Sequence, residues 1–177
     1  MAAPSPTSLV DMVDEQNELV GVVRRRDVFR LRANFRTVHV LVFNSRHELL
    51  LQRLAWSRER HPGQWGSSVA GYLHAGEKYE EAAQRRLFEE LGLSAPLSAV
   101  GITPMEDEGV RKFIGVFTTT ADRPKNAAPD QISEIKFFPL PAVERDIVVH
   151  PSDYTDTFRH VLNFWRNAAE VRTGLLS

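Results

Sequence analysis

The sequence contains no cysteine, which removes disulfides, thiolate metal sites and cysteine nucleophiles at once. It also lacks an excess of charge. Lys and Arg number 22 against 23 Asp and Glu, for a net charge of -1, so any polyanion must be met by local clusters rather than by the whole surface. That balance argues against a nucleic acid polymer or an anionic membrane as partner. No apolar run approaches the ~20 residues that cross a bilayer. The opening "MAAPSPTS" has no basic segment followed by an apolar one, so residues 1–8 read as a disordered tail rather than a signal peptide. A cytoplasmic location is the resulting expectation, with the oligomeric state left open.

What is present suits one globular domain over residues 9–177, because 42% of the 177 residues are apolar. "LVDMVDEQNELVGVVRR" sets two short apolar segments about a polar turn and predicts an N-terminal β-hairpin. "TVHVLVFN" and "ELLLQRL" form a second strand pair, and "WGSSVAG" leads into a helix over 78–91. Three further strand-like runs follow, "LSAVGITPM", "KFIGVFTTT" and "EIKFFPL". The first two are separated by "EDEGV", a hairpin turn at Gly109, and "ADRPKNAAPDQ" reads as an exposed loop. Tyr154, Phe158, Val161, Leu162 and Trp165 repeat at helical spacing, with Ser152 or Asp153 as the N-cap. The expectation is an α/β fold, a mixed sheet between helices.

At 100° per residue, Tyr79, Ala83, Leu87 and Leu91 line one side of the central helix, while Arg86, Glu89 and Glu90 share another arc. Gly92 occupies the position of a left-handed C-terminal cap. Taken alone, such acids and arginines describe a solvated helix face. The spacing over 71–93 is more specific: Gly71, Glu77, Arg85, Leu87, Glu89, Glu90, Gly92 and Leu93 together resemble the Nudix box. The resemblance implies a Nudix fold with the hairpin as an extension. It also implies that Glu77 and Arg85 lock the loop to the helix, and that Glu89, Glu90 and the Gly71 carbonyl hold Mg²⁺, or Mn²⁺ in its place. Adjacent carboxylates suit such hard cations.

One position departs from the hydrolase pattern. Where that motif has a glutamate after Arg85, this chain has Arg86. A guanidinium about 5 Å from a divalent ion costs on the order of several kcal/mol at an effective dielectric of 20, so Arg86 weakens the metal site, grips a substrate phosphate, or pairs with Glu89 or Glu90 on the surface. Two basic residues here are also found in the type I isopentenyl-diphosphate isomerases. "VDEQNELVGVVRR", "LLLQR", "HPGQWGSSVAG" and "AAQRRLFEELG" are similar to that branch as well. The isomerase cysteine nevertheless corresponds to Ala70 here, and its histidines correspond to Tyr72, Val28 and Phe35.

Arg53, Arg58 and Arg60 lie in or beside the loop "LAWSRERHPGQW", where the resemblance implies contact with a diphosphate. Glu134 resembles a late acid that binds metal or activates water in many relatives. Trp56 and Trp65 are candidates for base stacking or for core anchoring. His39, flanked by valines, reads as a structural hydrogen-bonding residue. These assignments imply a Mg²⁺-dependent pyrophosphohydrolase acting on a nucleoside diphosphate derivative or another small diphosphate, with Glu90 and Glu134 catalytic. A diphosphate-binding module of weak activity is the alternative, and isomerase activity ranks below it.

Overall fold

In the computed structural model the described residues are 8–176, so the tail expected at 1–8 lies outside them except for Ser8. Strands β1 (Leu9–Val13) and β2 (Leu19–Arg24) form the expected antiparallel hairpin. Its turn is built by Asp14, whose Oδ1 accepts the amides of Gln16 and Glu18, and by Asn17 at a positive φ of 64°.

β3 (Phe35–Phe43) and β4 (Glu48–Leu54) follow, joined by a turn in which the Asn44 side chain accepts the Arg46 and Glu48 amides. They pair at Phe43 and Leu49 and then part company. β3 continues beside β6 (Val69–Tyr72) and, in parallel, beside β8 (Val110–Thr120). β4 continues between β5 (Trp65–Gly66) and β9 (Ile132–Pro139). β7 (Ser98–Asp107) returns on β8 through Glu108 and Gly109, both with positive φ, as a tight two-residue hairpin turn requires. The sheet is mixed and has seven strands.

Alternation along β3 sends its side chains to two cores. Val38, Val40 and Val42 pack with Ala82, Ala83, Leu87 and Leu91 of helix α1 (Tyr79–Leu91). Leu41 faces the other way, toward Phe158, Val161 and Leu162 of helix α3 (Asp156–Leu176) and Val143 of helix α2 (Leu140–Val149). The predicted apolar stripe of α1 therefore faces the sheet. Gly92 ends α1 at φ 65°, its amide bonded to the Phe88 carbonyl.

Three local expectations need correction, and one helix was missed. α3 starts at Asp156, and Thr155 caps it by accepting the Phe158 amide, because the Thr155 amide is itself drawn to the Trp65 carbonyl and extends Tyr154 against β5. α2 was not expected: Leu140, Val143 and Ile147 line its packed face, but the helix is short and ends in the exposed Val148 and Val149. "WGSSVAG" is two strands, divided at Ser67 and Ser68, both buried. The loop "ADRPKNAAPDQ" folds back over the end of α1, the Lys125 and Ala127 amides bonding the carbonyls of Leu91 and Glu90.

The hairpin is coupled to the loop before α1. Asp11, buried on β1, accepts the Gly76 amide through both carboxylate oxygens at 3.2 and 3.3 Å and lies 3.6 Å from Arg36. Arg36 in turn donates to the Asn17 side chain and carbonyl. Asp11→Ala leaves Arg36 and the Gly76 amide short of their acceptor and should cost ~2–3 kcal/mol. Urea unfolding measures that loss, and hydrogen exchange at Gly76 should quicken beyond the global change.

Candidate active site

A second carboxylate, Glu77, holds the loop at 73–78 from within. Glu77 accepts the His74 amide and two hydrogen bonds from Arg85, each 2.8 Å, and Arg85 also donates to the Tyr72 carbonyl. Burial alone would raise the Glu77 pKa, but the Arg85 and His74 hydrogen bonds outweigh it and hold the carboxyl below its ordinary value. Arg85 reaches Glu89 as well, at 3.2 Å, so one guanidinium spans loop and helix.

Glu90, one residue on, is 5% exposed. Its Oε2 accepts from Gln52 of β4 at 3.1 Å and from the Ala70 amide of β6 at 3.4 Å. Burial raises its pKa, against the opposing effects of Arg86, the Ala70 amide and Gln52. The carboxylate stands where β3 with β6 has separated from β4, joining both halves of the split sheet to α1.

Arg86 completes the arrangement. It donates to Glu89 Oε2 at 2.7 Å, to Glu90 Oε1 at 2.5 Å and to the Ala70 carbonyl at 3.2 Å. Its side chain is only 12% exposed, so this is not the surface ion pair that the spacing alone suggested. The guanidinium fills the point on which the two carboxylates converge. Gly71 makes room for it: a Cβ there would stand 2.3 Å from Arg86 Nε. The backbone carbonyl at this point is that of Ala70, not of Gly71 as expected.

Beyond Arg86 opens a cavity of about 470 Å³. Arg58, Arg60, Lys112 and His39 line it together with Glu89 and Glu90. Arg58 is half-buried there, and its guanidinium has no hydrogen-bond or ion-pair partner among the described residues. Burial lowers its pKa, with Glu90 acting in the opposite sense. Arg60 is committed to Asp107 at 3.2 Å and lies over the Phe29 ring at 4.4 Å. Lys112, buried on β8, gives its ammonium to Asp107 and Thr157.

Two expected site residues fall outside this wall. Arg53 donates to the Gly63 carbonyl and lies near the rings of Trp56 and Trp65, because alternation along β4 turns it away from Gln52. Glu134 is exposed on β9 directly opposite Arg53 in the register, and so shares its face of the sheet. Trp56 is 66% exposed and caps Gly63, neither core anchor nor cavity wall. Conversely, Gln52, Asp107 and Lys112 went unnoticed in the sequence. The only signal of Gln52 and Lys112 was polarity at an apolar strand segment, and Asp107 read as part of the hairpin turn, whereas β7 extends to include it.

A family profile described as a NUDIX domain matches residues 33–158, which include every group just described on α1, β4 and β6. The chain belongs to the Nudix family of hydrolases. Among relatives, the Nudix hydrolase PA4841 of Pseudomonas aeruginosa is 35% identical over 136 residues, covering 76% of this chain and 80% of that protein. An isopentenyl-diphosphate Delta-isomerase of Pectobacterium atrosepticum is 28% identical over 171 residues, covering 91% and 95%. The crystal structure of DR0079 from Deinococcus radiodurans superimposes with a TM-score of 0.74 at 25% identity, covering 88% of this chain and 98% of that one. Both branches suggested by the sequence are thus represented, and the fold is the Nudix fold.

His39 supplies a pH test of the site's interior. It is buried beside Lys112, shares a 2.7 Å hydrogen bond with Ser67, and its pKa falls from 6.5 to about 3, first through burial and then through Lys112 and His160. Below its ordinary pKa, the unfolded chain therefore binds a proton that the folded chain refuses. Stability should drop by ~2 kcal/mol between about pH 6.5 and about pH 5 from this residue. Urea midpoints at the two pH values should show that slope in the natural protein and a shallower one in His39→Gln.

Proposed function

We propose that this Nudix protein is a Mg²⁺-dependent pyrophosphohydrolase of a nucleoside diphosphate derivative or another small diphosphate, with Mn²⁺ an adequate substitute. The reading rests on one observation: Glu89, Glu90 and the Ala70 carbonyl converge on a single cation position in the wall of a cavity that also exposes Arg58, an arginine with no partner among the described residues. Three oxygens around one cation form a hard donor set and suit a divalent ion once Arg86 has moved. Glu89 and Glu90 would hold that ion, which supplies Lewis-acid polarisation of a phosphoryl oxygen and acidifies water.

The protein's own groups then divide the remaining work. Arg58 is free to receive a phosphate and to neutralise charge that builds on it. Arg60, held by Asp107, shapes the cavity and contributes field rather than a free donor fork. Gln52 and the Ala70 amide keep Glu90 in place. Glu134 and Arg53 receive no step, since neither lines the cavity.

The presence of Arg86 at the cation position favours a second reading, a pocket that binds diphosphates without cleaving them. Isomerase chemistry has less support. Ala70 stands where that reaction needs a thiol, and Val28 and Phe35, in place of its N-terminal histidines, are buried in one apolar cluster.

Phosphate release from a panel of diphosphates, assayed with Mg²⁺ and with Mn²⁺, tests the proposal. Glu90→Gln should reduce kcat by ~10²-fold or more, beyond the loss usual for groups behind a metal ligand. Arg58→Gln should raise KM by roughly tenfold or more, the worth of a charge-assisted hydrogen bond. Full turnover in a correctly folded Glu90→Gln protein would end the hydrolytic reading.

A further inference from the structure

Arg86 sits within its own protein as a cation bound to a cation site. Its three acceptors are Glu89 Oε2, Glu90 Oε1 and the Ala70 carbonyl, and its Nε, pressed against Gly71, is buried without a partner. Such a guanidinium is held by charge at one end only, and the side chain also lines the cavity. If it leaves, the acids are not abandoned. Glu89 retains Arg85, and Glu90 retains Gln52 and the Ala70 amide. The carboxylates can therefore exchange one cation for another without rebuilding the helix or the loop.

We propose that Arg86 is an internal counter-cation that closes the acid pair until a phosphorylated ligand draws the guanidinium into the cavity, so that divalent metal and polyanion bind to this protein as a coupled pair. The inference rests on the metal-dependent reading of the site and specifies how that site is regulated. Without ligand, a divalent ion must either expel Arg86 into a cavity where Arg58 already stands unpartnered, or enter beside it against like charge. With a diphosphate present, Arg86 gains acceptors there, and the expelled cation becomes part of the ligand's binding site. Linkage makes the effect reciprocal: whatever factor the diphosphate adds to metal affinity, the metal adds to diphosphate affinity.

Mn²⁺ titration of the full chain, followed by the electron paramagnetic resonance signal of the free ion, reads this coupling without turnover. The probe ligand is methylenediphosphonate, which is not hydrolysed. Wild type should bind Mn²⁺ weakly alone and at least ~100-fold more tightly with the diphosphonate, while Arg86→Gln should bind Mn²⁺ alone ~10-fold more tightly than wild type and show a smaller enhancement. In the presence of chelator, calorimetry should find the diphosphonate bound ~10-fold more weakly by Arg86→Gln. Arg86→Lys, which keeps the charge but not the planar fork, should fall between the two and serves if the Gln variant does not fold. Equal Mn²⁺ affinity without ligand in wild type and in a folded variant, or equal enhancement in both, overturns the proposal. Coupled binding with no phosphate release from any diphosphate would remove the hydrolytic reading and leave the counter-cation standing. Hydrolysis with uncoupled Mn²⁺ binding would do the reverse.

Discussion

A carboxylate taken out of water must be compensated on the spot, and the region around α1 is organised to compensate Glu90. The partners come from three directions: Gln52 from β4, the Ala70 amide from β6 and Arg86 from the same helix. Since β4 and β6 lie on opposite sides of the split in the sheet, one side chain ties together elements that share little other pairing. The desolvation that raises its pKa is also what makes it hold a cation firmly. The stability of this corner and its affinity for positive charge are one property.

The cavity has an equally simple origin. β3 and β4 share a turn but pair at a single position, after which each takes other neighbours, and space opens between them. The N-terminal hairpin fixes the loop ahead of α1 through Asp11, and residues 127–131 close over the far side. Charge within this space is sorted. Arg60 and Lys112 share Asp107, and Glu108 also reaches Arg60, whereas Arg58 has no ion-pair partner among the described residues. A ligand that enters meets a wall of paired charges and, at Arg58, a guanidinium that no described acid holds.

Much of this was legible in the sequence where local rules decide. The apolar stripe of α1, the Gly92 cap, the polar turn of the N-terminal hairpin, the Gly109 turn and the spacing from Gly71 to Leu93 are all short-range facts, and the structure agrees with each. Places where tertiary contacts overrode local preference were not legible. The start of α3 was displaced by a hydrogen bond to Trp65, more than 80 residues away, while the polar partners Gln52 and Lys112 looked like ordinary strand residues and Asp107 like part of a turn. Arg53 and Glu134 were expected at the site through the family resemblance, but Arg53 points to the face opposite Gln52 and Glu134 lies across from it in the register, because a strand sends adjacent side chains to opposite faces. Arg86 shows both sides of this. Its spacing to Glu89 and Glu90 was readable as ion pairing, whereas its burial depended on β6 passing above it.

The close approach of Arg86 to Gly71 also limits how this protein can change over evolutionary time. With only 2.3 Å between Arg86 Nε and the place of a Cβ at residue 71, the two positions form one unit of sequence variation. A lineage that first shortens residue 86 frees both the acid pair and the space over the glycine, and can afterwards accept alanine at 71. The opposite order drives a buried guanidinium off two carboxylates in a single step. Ancestry should therefore be directional here, with replacements at 86 preceding any at 71.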